Sequence, residues 1–154
     1  MGSERSTTVS KMIRAPREAV YAAFLDPWAV SKWLPPGSMR GIVHDFEPHE
    51  GGRFSMSLVY ADADAQGKTS ADADTFEGRF SRLVPDELVV WATEFQSDDP
   101  GFAGEMTVSS VLKTVPGGTV VTMTCENIPS GIRLEDNEVG CSITLEQMAR
   151  FVEG

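Results

Sequence analysis

The apolar residues near the start of the chain follow first the period of a strand and then that of a helix. The alternating, β-branched segment 6–14 predicts a first strand with Val9 and Ile13 facing inward. A proline at position 16 favours a helix start, and the apolar residues that follow at helical spacing give that helix one buried stripe. The Asp-Pro pair at 26–27 predicts an N-cap and first turn for a second short helix, which ends at Pro-Pro-Gly.

From about residue 39 the period of the apolar positions falls to two, which is typical of strands with one buried face. Turn residues separate these segments at hairpin spacing, and the clearest turn is Pro-Gly-Gly at 116–118. The sequence therefore predicts a run of antiparallel strands, which comprises 39–47, 54–60, a strand through Phe76 and Phe80, 88–95, 107–115 and 119–127.

Two segments interrupt the strand pattern. Residues 61–74 alternate Ala with Asp and hold no bulky apolar side chain, which predicts a long hairpin loop. The aspartates of this loop lack the fixed spacing, the turn glycine and the bidentate Glu of an EF-type calcium loop, so we predict no metal site there. Residues 97–104 form a second turn-rich connection. No motif in the sequence indicates a cofactor, and we therefore predict none.

A helical period returns at the C-terminus, from about Asp136 to Val152. One face of this helix is an apolar stripe that consists of Cys141, Leu145, Met148, Ala149 and Val152. The order of elements predicts an α+β fold, in which a curved antiparallel sheet wraps around a long C-terminal helix and two short helices follow the first strand. We expect residues 1–154 to form one domain, because no linker or repeat divides the chain.

Composition and charge exclude several classes of function. With 154 residues and 41% apolar residues, the chain suits one globular core. A net charge of −10 repels nucleic acid and anionic membrane surfaces. No segment has the length of a membrane span or the h-region of a secretory signal, so we expect a cytoplasmic protein without membrane insertion. Cys125 and Cys141 are predicted to be reduced and to pack as small apolar residues.

Several segments carry a resemblance to a known family. They are the motifs at 13–27, 32–37, 44–54, 76–95 and 138–152, which together span nearly the whole chain. In these segments the sequence resembles the START-like (SRPBCC), helix-grip superfamily, and within it the branch named for homologues of the activator of heat-shock-protein-90 ATPase. The resemblance implies a ligand-binding fold, and the name of the branch implies a chaperone partner and a role in the stress response.

The chain departs from the family pattern in the terminal helix. Members of the family often carry a tryptophan after the helix glycine, and Cys141 stands there in this sequence. The resemblance therefore implies a cavity that is enlarged at Cys141, or that is filled instead by Met123 or Met148.

Ionisable side chains offer few candidates for catalysis. The two histidines, His44 and His49, lie near predicted strands and turns without a nucleophile motif beside them. Arg53 and Arg79 follow turn or strand glycines, and Glu94 lies on an otherwise apolar strand. We expect these side chains to point to solvent from the outer face of the sheet, and any of them facing inward would have to meet a carboxylate, a ligand group or water.

Three functions remain open from the sequence. The first is non-catalytic binding of a small hydrophobic molecule between sheet and terminal helix, by a monomer or a homodimer. The second is a polyketide cyclase or hydratase that uses His44 or Glu94, and the third is a chaperone-associated interaction module. Bulky apolar side chains expected on the inner face give the predicted ligand site, which comprises Trp33, Met56, Tyr60, Phe80, Trp91, Phe95, Met123, Cys141, Leu145 and Met148.

Overall fold

The structure is a computed structural model that describes residues 5–35, 40–59, 73–95, 100–102 and 104–153. Its elements are, in chain order, β1 (Thr7–Ile13), α1 (Arg17–Phe24), α2 (Pro27–Trp33), β2 (Arg40–Phe46), β3 (Arg53–Val59), β4 (Ala73–Val84), β5 (Leu88–Phe95), a 3₁₀ turn (Pro100–Phe102), β6 (Met106–Val115), β7 (Gly118–Glu126) and α3 (Leu134–Glu153).

The strands of the described chain form one antiparallel sheet in the order β1-β7-β6-β5-β4-β3-β2. The strands from β2 to β7 pair with one another in chain order, and β1 pairs with β7 at one edge of the sheet. Three of the turns between neighbouring strands contain a residue with positive φ, namely Gly51, Asp86 and Gly117. The predicted helix-grip layout and its hairpins are therefore confirmed.

The curl of the sheet has local causes in β2 and β4. The strand register shifts between Val43 and Asp45 and again between Phe80 and Arg82, and such bulges bend a strand and increase its twist. Gly78 allows a close approach of β4 to β5, because a Cβ atom there would lie 2.4 Å from the carbonyl oxygen of Ala92.

The short helices begin close to their predicted positions. Asp26 caps α2, since its Oδ1 accepts a hydrogen bond from the backbone N–H of Trp28 at 3.0 Å. Pro16 is the N-cap of α1 and precedes the first helical residue. The terminal helix starts at Leu134, slightly before the predicted Asp136.

The loop predicted at 61–74 is partly replaced by strand. Its last two residues belong to β4, which begins at Ala73, and the remainder lies outside the described residues. In the second predicted connection, residues 97–99 and 103 also lie outside the described residues, and the 3₁₀ turn occupies 100–102.

An aromatic cluster fills the interior where α1 and α2 cover the sheet. The rings contact one another with centroids between 4.9 and 6.3 Å apart, and they belong to Phe24, Trp33, Phe46, Phe54, Phe80 and Trp91. Leu145 and Met148 from the C-terminal half of α3 are buried in the same core. Across the described residues, no helix combines the length and apolar character needed to cross a membrane.

Candidate functional site

A cavity of about 270 Å³ lies between the N-terminal half of α3 and the inner face of the sheet. The strands β5, β6 and β7 form its floor, and α3 forms the opposite wall. Most of its lining is apolar. The described residues around it are Leu34, Leu58, Trp91, Thr93, Met106, Val108, Met123, Cys125, Ile132, Asp136, Asn137, Gly140, Cys141 and Thr144.

The α3 wall leaves space because its residues are small. Gly140 faces the cavity, and a Cβ atom added there would meet no other atom within 4 Å. Cys141 is the next residue and also lines the cavity. In the C-terminal half of α3, Leu145 and Met148 fill the corresponding space with larger side chains. The terminal helix therefore closes the core at one end and leaves the cavity at the other.

Polar atoms on the α3 wall are partly engaged within the protein. Asn137 Oδ1 accepts hydrogen bonds from the Thr7 hydroxyl and from the Cys141 thiol, the latter at 3.9 Å. The Thr144 hydroxyl donates to the backbone oxygen of Leu34 at 3.2 Å. Asp136 differs from these residues because it is exposed, which places its carboxylate at the opening of the cavity.

The two cysteines meet across the cavity wall. Cys125 on β7 is buried, Cys141 on α3 is half-buried, and their sulfur atoms lie 3.7 Å apart with both thiols free. A hydrogen bond from the Cys141 thiol lowers the pKa of Cys125, and Asn137 and Thr7 add to this effect against the opposing cost of burial. The pKa of Cys141 is raised by its hydrogen bond with Cys125 and by its own withdrawal from water.

Trp91 lies beside the cavity and carries a buried hydrogen-bond donor. Its side chain lines the cavity floor and is 4% exposed. Among the described residues no group accepts a hydrogen bond from its indole N–H. The indole of Trp33, by contrast, donates to the backbone oxygen of Ala23 at 3.0 Å. A buried donor without an acceptor costs about 1–3 kcal/mol, and this nitrogen has almost no accessible surface, so a ligand in the cavity would contact the ring of Trp91 and not its N–H.

The structure divides the predicted site residues into three groups. Trp91, Met123 and Cys141 line the cavity. Five others are buried in the packed core and do not line the cavity, namely Trp33, Met56, Phe80, Leu145 and Met148. Tyr60 and the side chain of Phe95 lie outside the described residues. The core residues face inward as expected, but aromatic rings and α3 fill the space around them.

Several cavity residues were missed from the sequence. Met106 and Val108 follow the alternation of β6 and could have been found from it, as could Thr93 on β5. Cys125 was assigned a packing role only. Ile132 precedes α3 in a segment without periodicity, so no sequence signal marked it.

The charged candidates from the sequence lie on the outside of the sheet. His44 is exposed, and its Nε2 lies 2.7 Å from the Ser57 hydroxyl. Glu94 is also exposed, and Arg79 pairs with Glu105 at 2.8 Å.

Arg53 is likewise on the outer surface. Its guanidinium group lies 3.8 Å from Asp45 and 3.9 Å from Glu77, and its side chain is 64% exposed. None of the four charged candidates is among the described residues of the cavity wall. Throughout the described ranges, no three His, Cys, Asp or Glu side chains converge as a metal site would require.

Comparison with solved structures agrees with this architecture. A crystal structure of a protein from Chromobacterium violaceum is 33% identical, with 97% of this chain and 98% of that chain covered and a TM-score of 0.86. A crystal structure from Rhodobacter sphaeroides is 18% identical, with 99% and 94% covered and a TM-score of 0.78. The solution structure of an AHSA1-like protein from Aeromonas hydrophila is 21% identical, with 96% and 92% covered and a TM-score of 0.73.

The similarities to the Rhodobacter sphaeroides and Aeromonas hydrophila structures concern the fold alone. A comparison with curated proteins finds no significant match. The family model described as "Activator of Hsp90 ATPase homolog 1-like protein" matches residues 14–153, which confirms the resemblance found in the sequence. The chain therefore belongs to the Activator of Hsp90 ATPase homolog 1-like protein family, within the START/SRPBCC superfamily.

Proposed function

We propose that this protein binds a small, mostly apolar molecule in the cavity between β5–β7 and α3, without catalysing a reaction on it. The observation that supports the proposal is the cavity itself, because a well-packed domain of this size rarely keeps an apolar hollow of about 270 Å³ beside a filled core. Transfer of an apolar ligand from water into this space would supply the main driving force.

The volume of the cavity limits the size of the ligand. An apolar cavity of about 150 Å³ is sufficient for benzene, whereas pockets for drug-sized ligands extend from about 300 Å³ upward. A volume of about 270 Å³ therefore fits a compound with one or two aromatic rings, or an aliphatic compound of similar size.

Charge and polarity at the cavity narrow the ligand class further. Asp136 places a carboxylate at the opening, and the protein carries a net charge of −10, so an anionic ligand is disfavoured. Apart from Asp136, most of the described lining is apolar. We therefore infer a neutral ligand as the best match, with a cationic ligand second.

The positions of the two predicted proton-transferring residues favour binding over a reaction of the cyclase or hydratase type. A cyclase or hydratase would need a proton-transferring group within reach of a ligand in the cavity. His44 and Glu94, which the sequence offered for that role, are exposed and lie outside the described cavity wall.

A matched set of naphthalene derivatives tests the proposal. The melting temperature is measured with 1-naphthalenemethanol, 1-naphthylmethylamine and 1-naphthoic acid, which share a ring system and differ in charge. A ligand at 100 times its Kd stabilises the native state by about 2.7 kcal/mol, so a clear rise is expected for the alcohol and the smallest rise for the acid. Equal melting temperatures with and without all three compounds would contradict the proposal.

Interaction with a chaperone is the second candidate, and the family description together with one exposed side chain favours it. Trp28 on α2 is 63% exposed, with the Lys32 ammonium 5.6 Å from its ring and Phe151 beside it. Exposed tryptophans are frequent anchors of protein interfaces. If this surface binds a purified heat-shock-protein-90 chaperone, Trp28→Ala should abolish capture of the chaperone at low salt. Equal capture of the chaperone by the unsubstituted protein and by Trp28→Ala would exclude this surface as the binding site.

A further inference from the structure

The cysteine pair has a geometry that packing alone does not require. Cys125 belongs to the sheet and Cys141 to the terminal helix, yet their sulfur atoms are in contact at 3.7 Å. Both residues line the cavity, so a small reagent that enters it reaches them. Asn137 and Thr7 surround the pair with hydrogen-bonding groups, as described above.

We propose that Cys125 and Cys141 are a redox modification site that a hydroperoxide converts to an intramolecular disulfide. In the first step a Cys125 thiolate attacks one peroxide oxygen, the O–O bond breaks, and the sulfenic acid forms as the alcohol or water leaves. In the second step the sulfur of Cys141 attacks the sulfenic acid sulfur, and water leaves as the S–S bond forms. Two thiols and one hydroperoxide thus yield one disulfide, one alcohol or water and one further water.

The hydrogen bond between the thiols assigns the two roles. Either sulfur can donate in this contact, and a Cys125 thiolate would accept from the Cys141 thiol, which lowers the pKa of Cys125 and favours its thiolate as the nucleophile. The pKa of Cys141 is raised, so Cys141 keeps its proton until the sulfenic acid has formed beside it. Because the sulfur atoms are already in contact, the attacking sulfur of Cys141 lies beside the sulfenic acid when it forms.

The disulfide would join the two walls of the cavity. It would link β7 covalently to α3 and replace two thiols by a shorter cross-link at the cavity surface. Oxidation is therefore expected to change ligand affinity, and this consequence alone depends on the proposed binding function.

The experiment treats the reduced full-length protein with hydrogen peroxide and, in a second arm, with cumene hydroperoxide. Free thiols are titrated, and peptides are mapped by mass spectrometry without reduction. The expected result is loss of both thiols of the chain, a cross-linked peptide pair that contains Cys125 and Cys141, and full recovery of both thiols with dithiothreitol. Cys125→Ser and Cys141→Ser serve as matched controls that cannot form the pair.

Three results would overturn the proposal. They are oxidation that stops at sulfinic acid on one cysteine, disulfides only between molecules, and no loss of thiols at a peroxide concentration that oxidises glutathione in the same buffer. The unsubstituted protein alone distinguishes these outcomes, so the test stands even if a serine variant does not fold. Binding of 1-naphthalenemethanol to the reduced protein is measured separately, so failure of ligand binding and failure of disulfide formation are told apart.

Discussion

The indole rings of Trp33 and Trp91 stack with an interplanar angle of 13° and centroids 6.2 Å apart. This contact joins α2 to β5 at the boundary between the filled core and the cavity. Trp33 is completely buried with its N–H bonded to Ala23, whereas Trp91 reaches the cavity with its N–H unpaired within the described structure. The stacked pair therefore separates the part of the interior that holds the fold together from the part available to a ligand.

Substitution of Trp33 tests the core side of this boundary. Trp33→Ala removes a large ring from contact with Phe24 and Trp91 and should lower the free energy of unfolding by about 3–5 kcal/mol. Trp28→Ala on the same helix is the control and should change it by less than about 1 kcal/mol, because Trp28 is 63% exposed. Urea unfolding followed by circular dichroism measures the free energy of unfolding of both variants. Similar losses of stability in the two variants would contradict the placement of Trp33 in the core.

Substitution by alanine should have opposite effects on stability at Gly140 and at Gly78. Gly140→Ala places a methyl group in open space within a helix and should raise the free energy of unfolding by about 0.5–1 kcal/mol. Gly78→Ala forces a Cβ atom to 2.4 Å from the Ala92 oxygen and should lower it by about 1–3 kcal/mol. Denaturant midpoints of the two variants provide the measurement. A destabilised Gly140→Ala would show that the α3 wall is closely packed.

Filling the cavity from α3 should abolish binding while the fold is retained. Cys141→Trp introduces a large ring where a small side chain lines the cavity, and it should weaken 1-naphthalenemethanol binding at least about tenfold, or about 1.4 kcal/mol. Val139→Trp adds the same ring to the same helix at a position that is 58% exposed, so it should leave affinity unchanged. Calorimetric titration of both variants checks this. Unchanged affinity in Cys141→Trp would place the ligand elsewhere.

The reactivity of Cys125 should depend on the hydrogen bond from residue 141. A lowered pKa means that the thiolate forms at lower pH, so the midpoint of its reaction with methyl methanethiosulfonate should lie below that of an ordinary cysteine. Cys141→Ser keeps a donor, whereas Cys141→Ala removes it and leaves Cys125 buried. The midpoint should therefore be higher in Cys141→Ala than in Cys141→Ser, and equal midpoints would rule out this role of the hydrogen bond.

Much of the fold could be predicted because local chemistry determines it. The Asp26 cap and the positive φ angles of Gly51 and Gly117 are set by residues close in sequence, and alternation then defines the strands between turns. The helix-grip arrangement followed from the order of these elements together with the family resemblance.

The division between core and cavity could not be predicted in the same way. Met56 and Met123 are both inward-facing methionines on strands, yet Met56 is buried in the core and Met123 lines the cavity. The difference depends on which side chains approach from the helices, and alternation along one strand carries no such information. The Cys125–Cys141 contact was missed for the same reason, because it depends on how α3 lies across β7.

The most direct test of the ligand cavity is the indole N–H signal of Trp91 in a ¹H–¹⁵N correlation spectrum. The three tryptophans give three indole signals, which Trp28→Phe and Trp91→Phe variants assign. On saturation with 1-naphthalenemethanol, the Trp91 signal should move because the aromatic ring of the ligand lies against the indole that lines the cavity, while the signal of exposed Trp28 stays in place. A saturated complex with an unchanged Trp91 signal would contradict binding in this cavity.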